Sequence, residues 1–242
     1  MTPLLALRGV SKTYVRGASD RDVLIEASLD VHAGAFVAVF GGRSSGKTTL
    51  LKVAAGLERP DQGTVFYGGR DLNALSSSAL ASIHRTEIAW VDRSGPQTDE
   101  LTMVDYIGLP LLRTHGYGAA RRVALETLAR VGASECAFAR WRDLSDAERA
   151  QISIVHALAR KPRLMVLDDP TAGLDLVERG RVLGLLRTTA DESRCGVLMA
   201  VPDFPAMIRA HEVLALSGGR LISATPAQQA VVIDFPDRQR SV

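Results

Sequence analysis

The eight residues from Gly41 to Thr48, GGRSSGKT, have the types and the spacing that hold a polyphosphate. A tight loop running into a helix start turns successive backbone N–H groups toward one point, and the helix dipole adds partial positive charge there. Gly41, Gly42, Arg43, Ser44, Ser45 and Gly46 form the expected cradle. Lys47 then reaches the β- and γ-phosphates, the Thr48 hydroxyl ligates Mg²⁺, and Thr49 completes the contact stretch. Ser44 stands where many such loops have glycine, which is tolerable unless its backbone needs φ > 0. A second set lies downstream, where RLMVLDDP ends an apolar run in Asp168 and Asp169. Beside a phosphate loop, the first carboxylate would hold the Mg²⁺ hydration shell, and the second would orient or deprotonate an attacking water. Alone, two acids at a strand end make a turn or a helix cap. The phosphate loop upstream and PTAGLD following favour the chemical role, and the two sets together predict a bound nucleoside triphosphate.

A strand must deliver this loop and a helix must leave it. Val37 to Phe40 is an apolar run that reads as a buried strand, and the apolar positions after Thr48 recur at helical spacing until Gly56 supplies a stop. Upstream, LLALRGV and VLIEASLDV alternate apolar and polar positions around the polar turn RGASDRD, which predicts an antiparallel strand pair. After the turn ERPDQG come a strand at TVFY, a helix at SALASIHR and a strand at EIAWV. From Arg93 to about Leu158 no strand pattern is evident, and several helices fit, including RRVALETLARVG. Strands and helices alternate again from Arg163: RLMVLDD, a helix from about Leu176, CGVLMAV, then EVLAL. An α/β core interrupted by a helical insertion follows. The stretch after Leu221 is too short for an added regulatory domain.

Bulk properties exclude several classes. At 242 residues and 46% hydrophobic content the chain has ample material for a core, and 29 basic against 27 acidic residues leave a net charge of +2. That balance gives no electrostatic case for nucleic acid as a partner. Cys136 and Cys195 are far apart and form no ligand spacing, which fits a reduced cytosolic protein without a structural metal. No apolar run approaches the roughly 18 residues needed to span a bilayer, so any membrane association is expected through another chain.

With these motifs in place the chain resembles the ATP-binding cassette family, the nucleotide-binding subunits of ABC transporters, over essentially its whole length. FGGRSSGKTT matches the family's Walker A motif, LMVLDDP its Walker B, and AGLD its D-loop, with Asp175 as the acid. KTY places Tyr14 where the family stacks an aromatic ring on adenine; an ordinary strand aromatic is the alternative. LTMVDYIGLPLL resembles the helical stretch after the Q-loop, and its ending is most similar to the branch serving lipoprotein release and macrolide export. The resemblance implies an α/β fold: a RecA-like phosphate-loop core, an N-terminal antiparallel β subdomain and an inserted α-helical subdomain. One cassette would span residues 1–242, with core and β subdomain in 1–92 and 159–242 and the helical part, carrying the signature, in 93–158. It implies ATP and Mg²⁺ as ligands, integral-membrane permease subunits and a second ABC ATPase subunit as partners, and a peripheral place at the cytoplasmic face of the membrane.

Several of the family's hydrolysis elements are altered. The Q-loop glutamine falls on Arg93, which can bind phosphate but cannot accept a hydrogen bond or ligate Mg²⁺; Gln97 would serve only from a shifted loop. The catalytic glutamate falls on Asp169, one methylene shorter, and a misplacement of roughly 1 Å at a reacting centre can cost about a hundredfold in rate. The switch histidine falls on Pro202, which has neither a side-chain donor nor a backbone N–H, and His211 is placed too far on to replace it. The signature LSGGQ is LSDAE here: Ser145 is kept, but the glycines have become Asp146 and Ala147. In the family this helix start faces the γ-phosphate held by the opposite subunit. Ser145 and Glu148 form the SxxE spacing of a self-capping box. Were Asp146 to face phosphate at about 5 Å with an effective dielectric near 20, the repulsion would be roughly 3 kcal/mol per unit charge. The other orientation turns it to solvent, where it favours the helix dipole.

Binding parts are thus present, while parts that read the γ-phosphate and activate water are changed. The expectation is an ATP-binding subunit with attenuated hydrolysis, paired with a second cassette and favoured as a heterodimer. The alternative is a fully active transport ATPase that tolerates the altered motifs.

Overall fold

The computed structural model describes residues 2–16, 19–92, 94–96, 100–202 and 209–224. Alternation near the N-terminus builds β1 (Leu5–Arg16) and β2 (Ser19–Val31), paired antiparallel with Leu5 opposite Val31 and Tyr14 opposite Arg21. Leu5, Leu7 and Val10 of β1 and Leu24, Leu29 and Val31 of β2 are buried, so the apolar face of the pair packs inward as period two requires. β4 (Gln62–Tyr67) pairs with the other edge of β1, and the two-residue β5 (Arg70–Asp71) closes a four-stranded sheet of order β2-β1-β4-β5, once β3 is assigned to the central sheet below.

The second sheet has the order β10-β9-β3-β8-β7-β6. It contains β3 (Phe36–Phe40), β6 (Ile88–Val91), β7 (Leu164–Asp168), β8 (Gly196–Val201), β9 (Glu212–Ser217) and β10 (Arg220–Ser223). Strands β9, β3, β8, β7 and β6 run parallel and β10 runs antiparallel to β9. All six residues of β8 are buried, because helices and the small sheet cover both faces; a strand in that setting reads as a continuous apolar run. β10 was not anticipated. Its four residues are too few to show alternation, and only the Gly218–Gly219 turn, with φ of 55° and 78°, signals a hairpin.

Beside four short 3-10 turns, the described residues form six α-helices: α1 (Lys47–Ala54), α2 (Ser77–Thr86), α3 (Met103–Gly108), α4 (Leu112–Arg130), α5 (Asp146–Leu158) and α6 (Leu176–Ser193). α1 lies on the face of the large sheet that meets β1 and β2, where Leu50, Leu51, Val39 and Leu198 share one apolar cluster. α5 and α6 cover the other face through Ile154, Leu183 and Leu186 against Met165 and Val197. A third cluster, with Met103, Ile107, Leu128 and Ile152, forms where α3, α4 and α5 meet. Among the described residues of 93–158 there is no strand, only an isolated bridge between Thr102 and Arg140. α4 is kinked at Gly116, whose φ of 70° and ψ of 167° no helix accommodates.

His156 on α5 stacks on Tyr106 of α3, with ring centroids 4.4 Å apart and planes 7° from parallel. Burial, with the Arg160 charge adding to it, pushes the imidazole down to about 4. The unfolded chain therefore binds a proton near pH 6.5 that the folded chain refuses until about pH 4, so stability falls as pH falls through that window. Between pH 7 and 4.5 this one group is expected to cost roughly 2–3 kcal/mol. Urea titrations at both pH values, compared with His156→Phe, check it: the substitution should remove most of that slope, and an unchanged slope refutes the assignment.

Candidate functional site

The loop after β3 is shaped by what presses on it. A Cβ on Gly41 would lie 2.5 Å from the Leu216 carbonyl oxygen of β9, and one on Gly46 would lie 2.6 Å from the Val23 carbonyl oxygen of β2. Both positions therefore exclude side chains. Gly46 also has φ of 104° and is the N-cap of α1, where no side chain caps the helix. The first N–H groups of α1 are left for an anion, as the sequence pattern requires. Ser44 has φ of 61°, so the condition that makes serine unfavourable there is met, at a cost of about 1–2 kcal/mol relative to the right-handed region.

Lys47 donates to the carbonyl oxygens of Gly41 at 2.6 Å and Gly42 at 2.8 Å, and to Ser45 Oγ at 3.4 Å. Burial lowers its pKa from the usual lysine value, while Asp169 and Asp168 act in the opposite direction. Thr48 Oγ1 donates to Asp168 Oδ2 at 2.8 Å, which joins the phosphate loop to the end of β7. The register fixes this meeting: Phe40 pairs with Val201 and Asp168 with Ala200, so β3, β8 and β7 end side by side. Ligands of parallel sheets bind at such carboxyl ends. A hydroxyl and a carboxylate here are hard oxygen donors of the kind Mg²⁺ takes, so the residues present fit that ion.

A cleft of about 370 Å³ runs from the loop to Tyr14 and is lined by Val15, Arg21, Val23 and Ser44 through Thr49. The Tyr14 hydroxyl donates to Glu58 Oε1 at 2.6 Å and lies 3.5 Å from Thr49 Oγ1; burial, then Glu58, raises its pKa. Arg21 and Val23 were missed by sequence reading, since no motif marks them. The hairpin register that sets Arg21 opposite Tyr14 is the one signal that would have found Arg21.

Other anticipated residues lie elsewhere. Arg43 is exposed. Arg93 and Gln97 fall outside the described residues. Asp169 adopts φ of 51° and donates its N–H to the Ala200 carbonyl at 3.0 Å; aspartate tolerates this left-handed region better than most residues. Pro202 is exposed and directly follows β8. Asp175 is not part of the cleft lining: it is the N-cap of α6, where Oδ1 accepts from Val177 and Glu178 N–H at 2.8 Å. Ser145, likewise outside the cleft, is the N-cap of α5. Its N–H and hydroxyl each donate to Glu148 Oε2 at 2.8 Å, and its Oγ accepts from Glu148 N–H at 3.3 Å, so the self-capping box is formed. Of the two orientations open to Asp146, the structure shows a carboxylate 3.5 Å from Arg149. His211 sits by the amino end of β3, where its Nδ1 accepts from Phe36 N–H at 2.9 Å. That is the opposite end of the strand from the loop.

A family model described as ABC transporter matches residues 24–172. The lipoprotein-releasing system ATP-binding protein LolD of Hyphomonas neptunium is 34% identical over 92% of this chain and 98% of its own length. The macrolide export ATP-binding/permease protein MacB 1/2 of Paracoccus denitrificans is 32% identical over 91% of this chain, which spans 33% of that longer protein. Among solved structures, the dimeric post-hydrolysis state of an ATP-binding cassette bound to ADP and Pi superposes with a TM-score of 0.79 at 26% identity, over 90% of this chain and 96% of the other. Matched by family, relatives and fold, with the phosphate loop and the Asp168 strand end in register, this chain belongs to the ABC transporter family as an ATP-binding cassette.

Proposed function

We propose that this cassette binds Mg-ATP at an interface with a second cassette, works at the cytoplasmic face of a membrane through integral-membrane permease subunits, and hydrolyses ATP slowly. The observation that carries the last point is the α5 start, where Ser145 N–H and hydroxyl are both engaged by the chain's own Glu148. In this reading the described residues of 93–158 are the arm that presents this helix, and those of 1–92 with 159–242 are the nucleotide-binding body. The relatives' names, lipoprotein-releasing and macrolide export, support a transporter setting of that kind.

In this reading Lys47 moves its donors from Gly41 and Gly42 to the terminal phosphates, Tyr14 carries the base, and Thr48 with Asp168 holds Mg²⁺. When bound, that ion neutralises charge between the β- and γ-phosphates. Asp169 is left to orient or deprotonate water from a short side chain, with Pro202 giving no donor beside it. A homodimer would place every alteration in both composite sites. A heterodimer with an intact partner would divide them, and it is the assembly favoured here.

Phosphate release from the assembled complex tests the proposal. Turnover by the unmodified protein should be slow, and Asp169→Glu alone should recover little, because groups that act as a unit are non-additive. Adding Pro202→His and Arg93→Gln should recover about tenfold or more. Fast turnover by a homodimer of the unmodified chain would overturn attenuation while leaving nucleotide binding in place.

A further inference from the structure

Ser44 is a serine in a backbone conformation that suits glycine, with φ of 61°, inside the loop that must keep its N–H groups convergent. Arg21 Nη2 donates to the carbonyl oxygen of this same residue at 2.9 Å. The arginine comes from β2, opposite Tyr14 in the β1–β2 register, and lines the same cleft. Two residues along β2, the Val23 carbonyl closes on Gly46 from the same strand. Among the described residues Arg21 has no carboxylate ion pair, so the bond to the Ser44 peptide is the contact that fixes its guanidinium.

We infer that Arg21 is a positioning residue of the nucleotide site: its guanidinium clasps the Ser44 carbonyl and holds the phosphate loop in the left-handed turn that serine by itself disfavours. The inference rests on the nucleotide-binding reading of this cleft. Its chemical content is specific. A direct phosphate contact or a general packing role would make Arg21 matter whatever residue follows Arg43. A clasp on a strained peptide matters only while the peptide is strained, so it should become dispensable when residue 44 is one that accepts φ > 0 freely.

The test is a double-mutant cycle read by titration of a fluorescent ATP analogue with Mg²⁺ present. Arg21→Met should weaken binding about tenfold, the size of one charge-assisted hydrogen bond. In the Ser44→Gly background the same substitution should weaken it less than about twofold. Arg21→Lys, measured alongside, should fall between, because an ammonium can reach the carbonyl without the fixed fork of a guanidinium. Thermal melting of each variant identifies any that fail to fold, and the cycle is then read from Arg21→Lys. Equal losses in the two backgrounds, or no loss in either, overturn the inference. Lys47→Ala run in parallel separates the levels: if it weakens binding by about 30-fold or more while Arg21 proves dispensable, only the clasp fails; if it leaves binding intact, the nucleotide reading fails with it.

Discussion

Lys47→Ala is expected to lower the affinity for Mg-ATP by roughly 30- to 100-fold, since hydrogen bonds to charged partners contribute about 1.5–3 kcal/mol net and this ammonium meets the most charged part of the ligand. Its present bonds support that assignment. The ammonium is held against the Gly41 and Gly42 carbonyls inside the loop, so it is already where a phosphate would arrive and loses little freedom on binding. Burial opposes its charge and lowers its pKa, while Asp169 and Asp168 act in the opposite direction. The loop should keep its fold after the substitution even though its bonds from Lys47 are lost, because the close contacts at Gly41 and Gly46 and the Arg21 bond to Ser44 remain. A melting temperature close to that of the parent protein, together with lost binding of a fluorescent ATP analogue, is therefore the expected pair of results. Unchanged affinity would remove the basis for a nucleotide site here.

Glu148→Gln is expected to raise ATP-dependent pairing with a second cassette, and phosphate release with it, by tens of fold. Glu148 is held below the usual carboxylate range by the Ser145 N–H and hydroxyl, so at neutral pH it places a full negative charge on the α5 start. If that end approaches a bound phosphate to about 5 Å at an effective dielectric near 20, each unit of phosphate charge is repelled by roughly 3 kcal/mol, close to a hundredfold in the closed state. Glutamine serves equally well in a capping box, so the substitution removes charge while keeping the helix end. Stability should fall by about 0.3–1 kcal/mol, the worth of a carboxylate charge at a helix start. Asp146→Gly with Ala147→Gly should add a smaller gain, because the Asp146 carboxylate is already beside Arg149 and half exposed. Sedimentation with and without ATP reads pairing directly. No gain from Glu148→Gln would mean that the Glu148 charge does not limit closure.

How much of this was legible in the sequence depended on whether the governing contacts were local. GxxxxGKT and the paired aspartates are runs of neighbours, and the structure brings Thr48 and Asp168 to within a hydrogen bond. The SxxE spacing is also local, and its box forms as written. The start of α6 at Leu176 was equally readable, but Asp175 serves there as a cap, which the D-loop resemblance alone did not indicate. What escaped detection depends on distant partners. Arg21 became visible through a hairpin register and β10 through pairing with β9, while the φ that the sequence left conditional at Ser44 was decided by the path of the loop around Gly46. Asp146 shows the same limit: composition supplies the charge, and only Arg149 on the next turn decides where it goes.

β2 is the end strand of its sheet, and thirteen residues of strand edge are a standing invitation to another chain. Here part of that edge is covered. The Val23 carbonyl faces Gly46, and the Ile25 N–H donates to the Gly219 carbonyl of the β9–β10 turn at 2.8 Å. The phosphate loop and a hairpin turn thus add cover to a strand that already carries Asp20, Arg21, Asp22 and Glu26. It follows that loosening the loop uncovers a pairing surface as well as weakening a ligand site, so loss of the loop's geometry and a tendency to self-associate through strands are two faces of one event.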